Sequence, residues 1–182
     1  DFEFNGIRQS NRNKLLWKDK SVDGLKTGHT EAAGYCLVSS AKRDDMRLVS
    51  VVMGTSSMKS REEESLKLLN YGFRFFETHK LYSAGDALST AKVWKGDADK
   101  LAVGIKKDLF ITSPRNQYDK LEASIQLNSQ ITAPISEGQQ LGSLIISLSG
   151  NNVAEQPLVA LKSVAEGGFF GNLIDNVMMM LE

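Results

Sequence analysis

Three consecutive residues, Lys26, Thr27 and Gly28, place a cation, a hydroxyl group and a position without a side chain next to one another. They lie within residues 22–30, a segment predicted to be an extended strand. Because side chains alternate between the two faces of a strand, we expect Lys26 and Gly28 on one face and Thr27 on the other. A glycine lets a ligand approach the main chain closely. The triplet therefore predicts a strand end that binds an anion or a carboxylate.

The residues around this triplet predict an antiparallel sheet. Four short runs are predicted to be strands, at residues 15–18, 24–28, 34–41 and 46–54. The turn between the last two is predicted at residues 43–45. Apolar residues are almost continuous over 48–49 and 51–53, which predicts cover on both faces of the sheet. We expect a helix to supply one of these covers.

A helix is predicted to begin at Ser60. Ser60 and Glu63 have the spacing of a capping box, and the acidic residues 62–64 would lie at the positive end of the helix dipole. Apolar residues then recur at spacings of three and four, at Leu66, Leu69, Phe73 and Phe76. This spacing predicts one buried helix face that packs on the sheet.

The segment 81–161 has the pattern of an all-β region. Short alternating runs occur at residues 93–95, 109–112, 121–127, 141–148 and 158–161. Glycine, proline and asparagine residues separate these runs and predict turns. We therefore expect a small β-sandwich in which each sheet has one solvent-exposed face.

Residues 167–182 return to helical spacing. The apolar residues of one stripe are Phe169, Phe170, Leu173, Ile174, Val177, Met178 and Leu181. No Lys or Arg occurs in this segment, so we expect low membrane affinity, and packing or self-association of the stripe. No run of about eighteen apolar residues occurs anywhere, which excludes a transmembrane helix from the sequence pattern.

The composition excludes several classes of function. Twenty-two basic residues balance twenty-two acidic ones, which argues against binding nucleic acid through bulk charge. A single cysteine cannot form an internal disulfide. Two distant histidines and one cysteine do not give a metal-binding set, and nothing in the sequence predicts a cofactor.

Several longer motifs resemble one protein family. They are Asn5-Gly6-Ile7-Arg8-Gln9, Asn11-Arg12-Asn13, Leu15-Leu16-Trp17, Lys26-Thr27-Gly28-His29-Thr30, Gly72-Phe73-Arg74-Phe75-Phe76-Glu77 and Glu166-Gly167-Gly168-Phe169-Phe170-Gly171. Together they resemble the low-molecular-mass D-alanyl-D-alanine carboxypeptidases, penicillin-binding proteins five and six of enteric bacteria. The resemblance runs through nearly all 182 residues.

The resemblance implies an architecture. It implies the remnant of an α/β transpeptidase-like (serine β-lactamase-like) domain, with an antiparallel sheet and a C-terminal helix, followed by an all-β sandwich. The implied bounds are 1–78 for the transpeptidase-like part, 79–163 for the sandwich and 164–182 for the start of a C-terminal amphipathic helix. Residues 1–4 show no signal-peptide pattern, and we expect the chain to be the later portion of a longer exported precursor.

The resemblance also implies chemical roles. The family cleaves the terminal D-alanine through an acyl-enzyme formed on a serine. Lys26 and His29 are the implied catalytic residues, Lys26 through its charge near the nucleophile and His29 through its backbone N–H as an oxyanion donor. Thr27 is the implied hydroxyl donor to the substrate carboxylate, and Gly28 keeps the strand edge open.

Two arginines are implied to assist the substrate-binding edge. Arg12 matches a family position near the substrate carboxylate, and Arg61 matches one that approaches the Lys-Thr-Gly strand. A guanidinium can bind both oxygens of a carboxylate at once. An ordinary exposed surface arginine is the alternative for each of them.

The nucleophile is not found among the serines of this chain. Ser39 and Ser56 both begin a Ser-x-x-Lys pattern, but Ser39 lies in a predicted strand and Ser56 in a predicted loop. The pattern requires a helix, on which the lysine one turn later shares the face of the serine. Ser149-Gly150-Asn151, which satisfies Ser-x-Asn, lies in a predicted turn of the β region. We therefore predict that this chain alone is inactive.

The family resemblance implies partners and a location. The implied partners are the peptidoglycan pentapeptide stem and β-lactam antibiotics, and the implied location is the periplasm, on the outer face of the inner membrane. Exposed sheet edges favour a homodimer of the chain. Two alternatives stay open: residues 81–161 act as a non-catalytic module that docks to cell-wall partners, or residues 1–76 are completed by a separate N-terminal chain.

Overall fold

The computed structural model describes residues 1–168 together with residues 175 and 178. The chain divides into two compact units. The first unit comprises Asp1–Thr78 and Thr112–Arg115, and the second comprises His79–Ile111 and the residues from Asn116 onward.

The first unit is built on a three-stranded antiparallel sheet. A hairpin of β1 (Phe2–Phe4) and β2 (Ile7–Gln9) precedes the short helix α1 (Leu15–Lys18). Three strands then follow and pair in the order of the chain, β3 (Val22–Thr30), β4 (Gly34–Arg43) and β5 (Met46–Thr55). The unit's long helix is α2 (Met58–Phe75). The predicted hairpin and helix are confirmed.

The strand predicted at residues 15–18 is wrong, because these residues form α1. The side-chain oxygen of Asn13 accepts a hydrogen bond from the backbone N–H of Leu15 at 3.1 Å. Such a contact satisfies a free donor at the start of a helix. Leu15 itself is fully buried in the core. A run of four residues is too short for its hydrophobic period to distinguish a strand from one helical turn.

The predicted start of α2 is wrong by a few residues. The N-cap is Ser57, whose hydroxyl oxygen accepts a hydrogen bond from the backbone N–H of Ser60 at 3.0 Å. Either serine could cap a helix by residue type, and the structure uses the earlier one. The predicted buried face is confirmed: Leu69 and Phe73 are buried, and Leu66 and Phe76 pack against the same core. The core also contains Leu15, Val22, Leu37, Ala41 and Met46.

The sheet of the first unit is covered on one face only within the described residues. Helix α2 packs on the face that carries Leu37 and Ala41. Along β5 the alternate residues Val49, Val51 and Met53 are 57%, 55% and 74% exposed. The predicted cover on both faces is therefore wrong for the part of the chain that the structure describes. An apolar patch of this kind usually marks an interaction surface.

The second unit is an all-β region, as predicted. Two strands, β6 (Phe76–Tyr82) and β9 (Leu109–Pro114), form a small sheet of their own, of which residues 79–82 and 109–111 belong to this unit. The larger sheet has five strands: β7 (Ser89–Lys92), β8 (Lys100–Gly104), β10 (Leu121–Leu127), β11 (Gln140–Leu148) and β12 (Asn151–Ala160). Their order across the sheet is β10-β11-β12-β8-β7. The buried core includes Val103, Ile111, Leu144, Ile146 and Leu158.

Three strands of this region were missed by the sequence pattern, and one predicted strand is wrong. β6, β7 and β8 were not predicted, and the strand predicted at residues 93–95 contains only an isolated bridge from Trp94 to Thr132. β7 and β8 are short and carry lysines at exposed positions, so their alternation is weak. The predicted strand at residues 158–161 is the end of the much longer β12.

The predicted C-terminal helix lies mostly outside the described residues. Before it, Val164 pairs with Ile135 and is buried in the core of the second unit. Asp175 accepts a hydrogen bond from the backbone N–H of Lys95 at 2.6 Å. No helix in the described part of the chain is long and apolar enough to cross a membrane. The domain bounds 1–78, 79–163 and 164–182 stay predictions.

An ionic network ties the start of the sheet to α2. The carboxylate of Asp19 accepts hydrogen bonds from the hydroxyl of Ser21 at 2.6 Å and from the guanidinium of Arg43 at 2.8 Å. Arg43 also donates to the side-chain oxygen of Asn70 on α2 at 3.0 Å. The hydrogen bond from Ser21 is the main cause that lowers the pKa of Asp19, and Arg43 adds to it while burial opposes it.

The Asp19→Asn variant should lose stability in a pH-dependent way. Because the pKa of Asp19 in the folded state lies below its unfolded value of about 3.9, its contribution is full above that value. The contribution is lost as the pH falls through the folded pKa. We expect the free energy of unfolding of D19N to be lower by about 1 kcal/mol near neutral pH, and this difference to shrink below about pH 4. Urea unfolding followed by Trp17 fluorescence in a Trp94→Phe background measures it.

The control for this prediction is Asp45→Asn. Asp45 is exposed in the β4–β5 turn and makes no side-chain hydrogen bond within the described residues. D45N should leave the stability almost unchanged at every pH. A loss for D19N that does not vary with pH would contradict the assigned cause.

Candidate active site

An open groove of about 940 Å³ runs along β3 in the first unit. One wall is the strand segment 25–29, and the other comes from residues 9–12 after β2. Tyr35, Met58 and Arg61 complete the lining. The groove therefore brings together all six residues that the sequence predicted for the site, which are Arg12, Lys26, Thr27, Gly28, His29 and Arg61.

The strand β3 lies at an edge of its sheet. Among the described residues its only neighbour in the sheet is β4, so the sheet does not use the backbone groups on its other side. Thr27 pairs with Leu37, which is buried under α2, whereas Lys26 pairs with Val38. Since directly opposed residues share a face, Thr27 projects on the helix side and Lys26 on the exposed side. The alternation predicted for the triplet is confirmed by this register.

Lys26 is exposed and available at this edge. Its ammonium group donates a hydrogen bond to the backbone carbonyl of Thr27 at 3.0 Å. Within the described residues it forms no ion pair with a carboxylate. Because the carbonyl is neutral, this hydrogen bond leaves the positive charge of Lys26 uncompensated, and such a charge suits an anionic ligand.

Arg61 lies beneath the edge and is 2% exposed. Its guanidinium donates to the backbone carbonyls of Gly28 at 3.2 Å, Cys36 at 3.4 Å and Arg12 at 3.5 Å. These three carbonyls belong to β3, β4 and the segment that forms the other wall. The buried Nε atom of Arg61 has no hydrogen-bond partner within the described residues. Arg61 thus fixes the geometry of the edge, and its predicted contact with substrate stays a prediction.

Arg12 is exposed at the groove and is held there by its neighbour Asn13. Asn13 is 1% exposed and donates from its amide to the backbone carbonyl of Gly24 at 3.1 Å. Its backbone N–H is bonded to the side chain of Asn11 at 2.9 Å. Asn13 was missed by sequence reasoning. An asparagine directly before an apolar run is a capping signal that could have found it.

His29 uses its side chain for packing. Its imidazole lies 3.9 Å from the ring of Tyr35, centroid to centroid. The other neighbour of Tyr35 is the guanidinium carbon of Arg61, 5.7 Å from the ring centroid. A stacked imidazole fits the prediction that the backbone of His29, and not its ring, serves the reaction. Tyr35 was not predicted as part of the site.

The serines of the two Ser-x-x-Lys patterns have other roles. Ser39 is fully buried in β4, and its hydroxyl is hydrogen-bonded to that of Ser50 at 2.7 Å. Ser56 precedes the N-cap of α2, and Lys59 pairs with Glu63 at 3.6 Å. Ser149 lies in the turn between β11 and β12. None of them begins a buried helix, as predicted. The described residues contain no group of His, Cys, Asp and Glu side chains that could hold a metal ion.

Two known families match the chain. The family described as "Penicillin-binding protein 5, C-terminal domain" matches residues 76–166, and "D-alanyl-D-alanine carboxypeptidase" matches residues 1–57. The chain belongs to the penicillin-binding protein 5 family. The resemblance seen in the sequence motifs is thereby confirmed.

Individual relatives agree with this family. The D-alanyl-D-alanine carboxypeptidase DacA of Escherichia coli K12 is 47% identical over 182 residues, which is 99% of this chain and 45% of that protein. The carboxypeptidase DacF of Bacillus subtilis is 34% identical and covers 87% of this chain. The chain thus spans less than half the length of DacA.

A solved structure of a family member is similar as well. Penicillin binding protein 5 from Haemophilus influenzae has 44% sequence identity and a TM-score of 0.83, over 91% of this chain and 49% of that one. The predicted fold class, a transpeptidase-like part followed by an all-β domain, is confirmed by this likeness and by the family matches.

Two glycines near the groove should respond differently to alanine. A Cβ atom at Gly28 would lie 3.7 Å from the Cβ of Cys36, an ordinary contact. Gly34 has a φ of +64°, and a Cβ there would lie 2.9 Å from the carbonyl oxygen of Thr55. We expect G28A to change the stability by less than about 0.5 kcal/mol and G34A to lower it by about 1–3 kcal/mol. Urea unfolding followed by Trp17 measures both, and equal losses would contradict the geometry.

The Arg61→Lys variant should weaken the edge although it keeps the charge. A lysine ammonium has three N–H donors, but they all leave from one nitrogen atom and cannot reach carbonyls that Arg61 contacts from two separate nitrogens of a planar guanidinium. We expect R61K to lower the free energy of unfolding by about 1–3 kcal/mol. The control is Arg74→Lys, an exposed position on the same helix that should be nearly neutral. If R61K were as stable as R74K, Arg61 would not hold the edge.

Proposed function

We propose that this chain supplies the substrate-binding edge of a serine-type D-alanyl-D-alanine carboxypeptidase. The substrate is the pentapeptide stem of peptidoglycan, and β-lactams bind at the same edge. The observation that carries the proposal is the Lys-Thr-Gly triplet on an open edge strand, beside a groove whose backbone is fixed by buried Arg61. The family membership supports it, because its relatives are named as D-alanyl-D-alanine carboxypeptidases.

The edge strand suits an extended peptide. A stem that ends in two D-alanines lies along β3 and adds main-chain hydrogen bonds to its free side. Gly28 has no side chain to keep this backbone away. The substrate carboxylate meets the hydroxyl of Thr27 and the exposed guanidinium of Arg12, which can bind both of its oxygens.

The reaction places charge where this edge can stabilise it. A serine attacks the carbonyl between the two D-alanines, and the negative oxygen that forms accepts a hydrogen bond from the backbone N–H of His29. The ammonium group of Lys26 favours ionisation of the nucleophile and assists proton movement. The terminal D-alanine leaves, and water then hydrolyses the acyl-enzyme.

The nucleophile comes from polypeptide that covers the exposed face of the sheet. Lys26 projects from the face that carries Val49 and Val51, and those two valines are more than half exposed. Packing against this face would bury the apolar patch and would bring a serine next to Lys26. No serine of a Ser-x-x-Lys pattern in this chain can take that place, since Ser39 is buried on the opposite side and Ser56 precedes α2. The isolated chain therefore has no turnover.

The cell wall as substrate implies a periplasmic location. Peripheral contact with the inner membrane would come through the predicted stripe at residues 167–182, which falls largely outside the described residues. A homodimer of the chain would use the free edges of β3 and β5, which end the three-stranded sheet. Docking of the β region to cell-wall partners is the second candidate function. It is favoured by the alternating surface of this region, in which the sequence pattern offers no chemical constellation.

The proposal is tested with a chimera in which this chain replaces the aligned part of E. coli DacA. The two are 47% identical, so the replacement preserves the fold. We expect a fluorescent penicillin to label the chimera covalently and to leave the isolated chain unlabelled. The variant Lys26→Ala should lower the acylation rate by about 100-fold to 10,000-fold.

The matched control is Lys42→Ala, which removes another exposed lysine, the one that follows Ser39 in its Ser-x-x-Lys pattern. K42A should acylate at the rate of the unmodified chimera. Labelling of the isolated chain at Ser39 or Ser56 would overturn the assignment. If the folded chimera that carries K26A were acylated as fast as the unmodified chimera, the role of Lys26 would be overturned.

A further inference from the structure

A second, smaller cavity lies in the β-domain of the second unit. Its volume is about 260 Å³, and it opens between the end of β6 and the start of β10. Leu81 and Tyr82 form one wall, and Leu121 and Ala123 of β10 form another. The buried side chain of Ile146 lies at its base. Cavities that bind whole small molecules are larger, about 300–1,000 Å³, so this one is of the size for a single side chain.

The walls of this cavity combine aromatic rings with negative charge. Tyr82 and Tyr118 line it, and the ring of Tyr118 is held by the imidazole of His79 at 4.5 Å. Asp119 adds a carboxylate, and it forms no ion pair or side-chain hydrogen bond within residues 1–168. Glu122 pairs with Ser147, so its side chain projects from the face of β10 opposite to Ala123 and Ile146. Aromatic faces and unpaired carboxylates both attract a cation.

The apolar base of the cavity favours the side chain of lysine or arginine over a metal ion. The carbon stems of lysine and arginine pack along apolar surface while their charged ends reach polar groups. Leu81, Leu121 and Ile146 would contact such a stem, and Asp119 would meet its charged end. A metal ion would instead need several oxygen ligands around one point, and no metal-binding group occurs among the described residues.

The strand that borders the cavity has a free edge. β10 is the outermost strand of the five-stranded sheet, and in the part of the chain that the structure describes β11 is its only neighbour there. Its residues 121–127 include no proline and no lysine, the residues that commonly protect an edge. The backbone groups on its outer side are therefore available to another extended segment.

We infer that the β-domain binds an extended polypeptide segment that pairs with the free edge of β10 and inserts a lysine or arginine side chain into this cavity. The free edge supplies sequence-independent hydrogen bonds, and the cavity supplies selectivity for the cation. The residues involved are separate from those of the Lys-Thr-Gly groove, so the inference does not depend on the proposed function.

The test uses the full chain and a synthetic eight-residue peptide of alternating threonine and valine with one central arginine. The control peptide carries citrulline, which is neutral and nearly the same shape. We expect calorimetry to give a dissociation constant about tenfold lower for the arginine peptide. Backbone NMR signals of residues 121–127 should shift on binding.

Two matched variants separate the cavity from general charge attraction. Asp119→Asn removes the carboxylate of the cavity, and Glu155→Gln removes an exposed carboxylate on β12 of the same sheet. We expect D119N to weaken binding of the arginine peptide by about threefold to tenfold and E155Q by less than about twofold. Ala123→Leu, which fills the cavity, should also weaken binding of the arginine peptide, with thermal unfolding as the check of folding.

Equal binding of the two peptides, equal effects of D119N and E155Q, or no binding of the arginine peptide at millimolar concentration while the chain is folded would each overturn the inference. A shift of NMR signals confined to residues 25–29 would place the peptide at the other edge strand and would also overturn it.

Discussion

The geometry of the groove depends on one buried guanidinium. Arg61 reaches from the first turn of α2 to backbone carbonyls of β3, β4 and the segment after β2. A buried guanidinium is costly unless its donors are paired, and the three carbonyls pair both of its terminal nitrogens, which holds the three chain segments in place. The carbonyl of Gly28 is one of them, which fixes the backbone of the triplet directly. Thus the long helix determines where the edge strand presents Lys26 and Thr27.

As a consequence, the two faces of the sheet differ in what they contact. The face under α2 is the hydrophobic core of the first unit, and Thr27 projects on that side at the edge. The opposite face carries Lys26 together with exposed Val49 and Val51. An apolar surface of this kind usually marks an interaction site, and its position beside Lys26 suits the proposed interface with a polypeptide that carries the nucleophile. Placement of the lysine and the need for a covering partner therefore follow from the same strand register.

The sequence was sufficient for the features that depend on local pattern. The triplet on its strand, the hairpin of β4 and β5 and the buried face of α2 were predicted because period and residue type determine them. Residues 15–18 were predicted wrongly, since a single turn is too short to show its period and the cap from Asn13 decides it. The contacts of Tyr35 and the cavity beside β10 depend on tertiary packing, which no spacing in the sequence reveals.

The central claim is that the edge strand β3 holds the substrate. A crystal structure of the DacA chimera acylated by a penicillin tests it most directly. The account predicts the carboxylate of the bound drug within hydrogen-bonding distance of the Thr27 hydroxyl, and its amide group paired with the backbone of β3. An acyl group that is well ordered but lies away from β3, with Lys26 and Thr27 in contact only with solvent, would contradict the account.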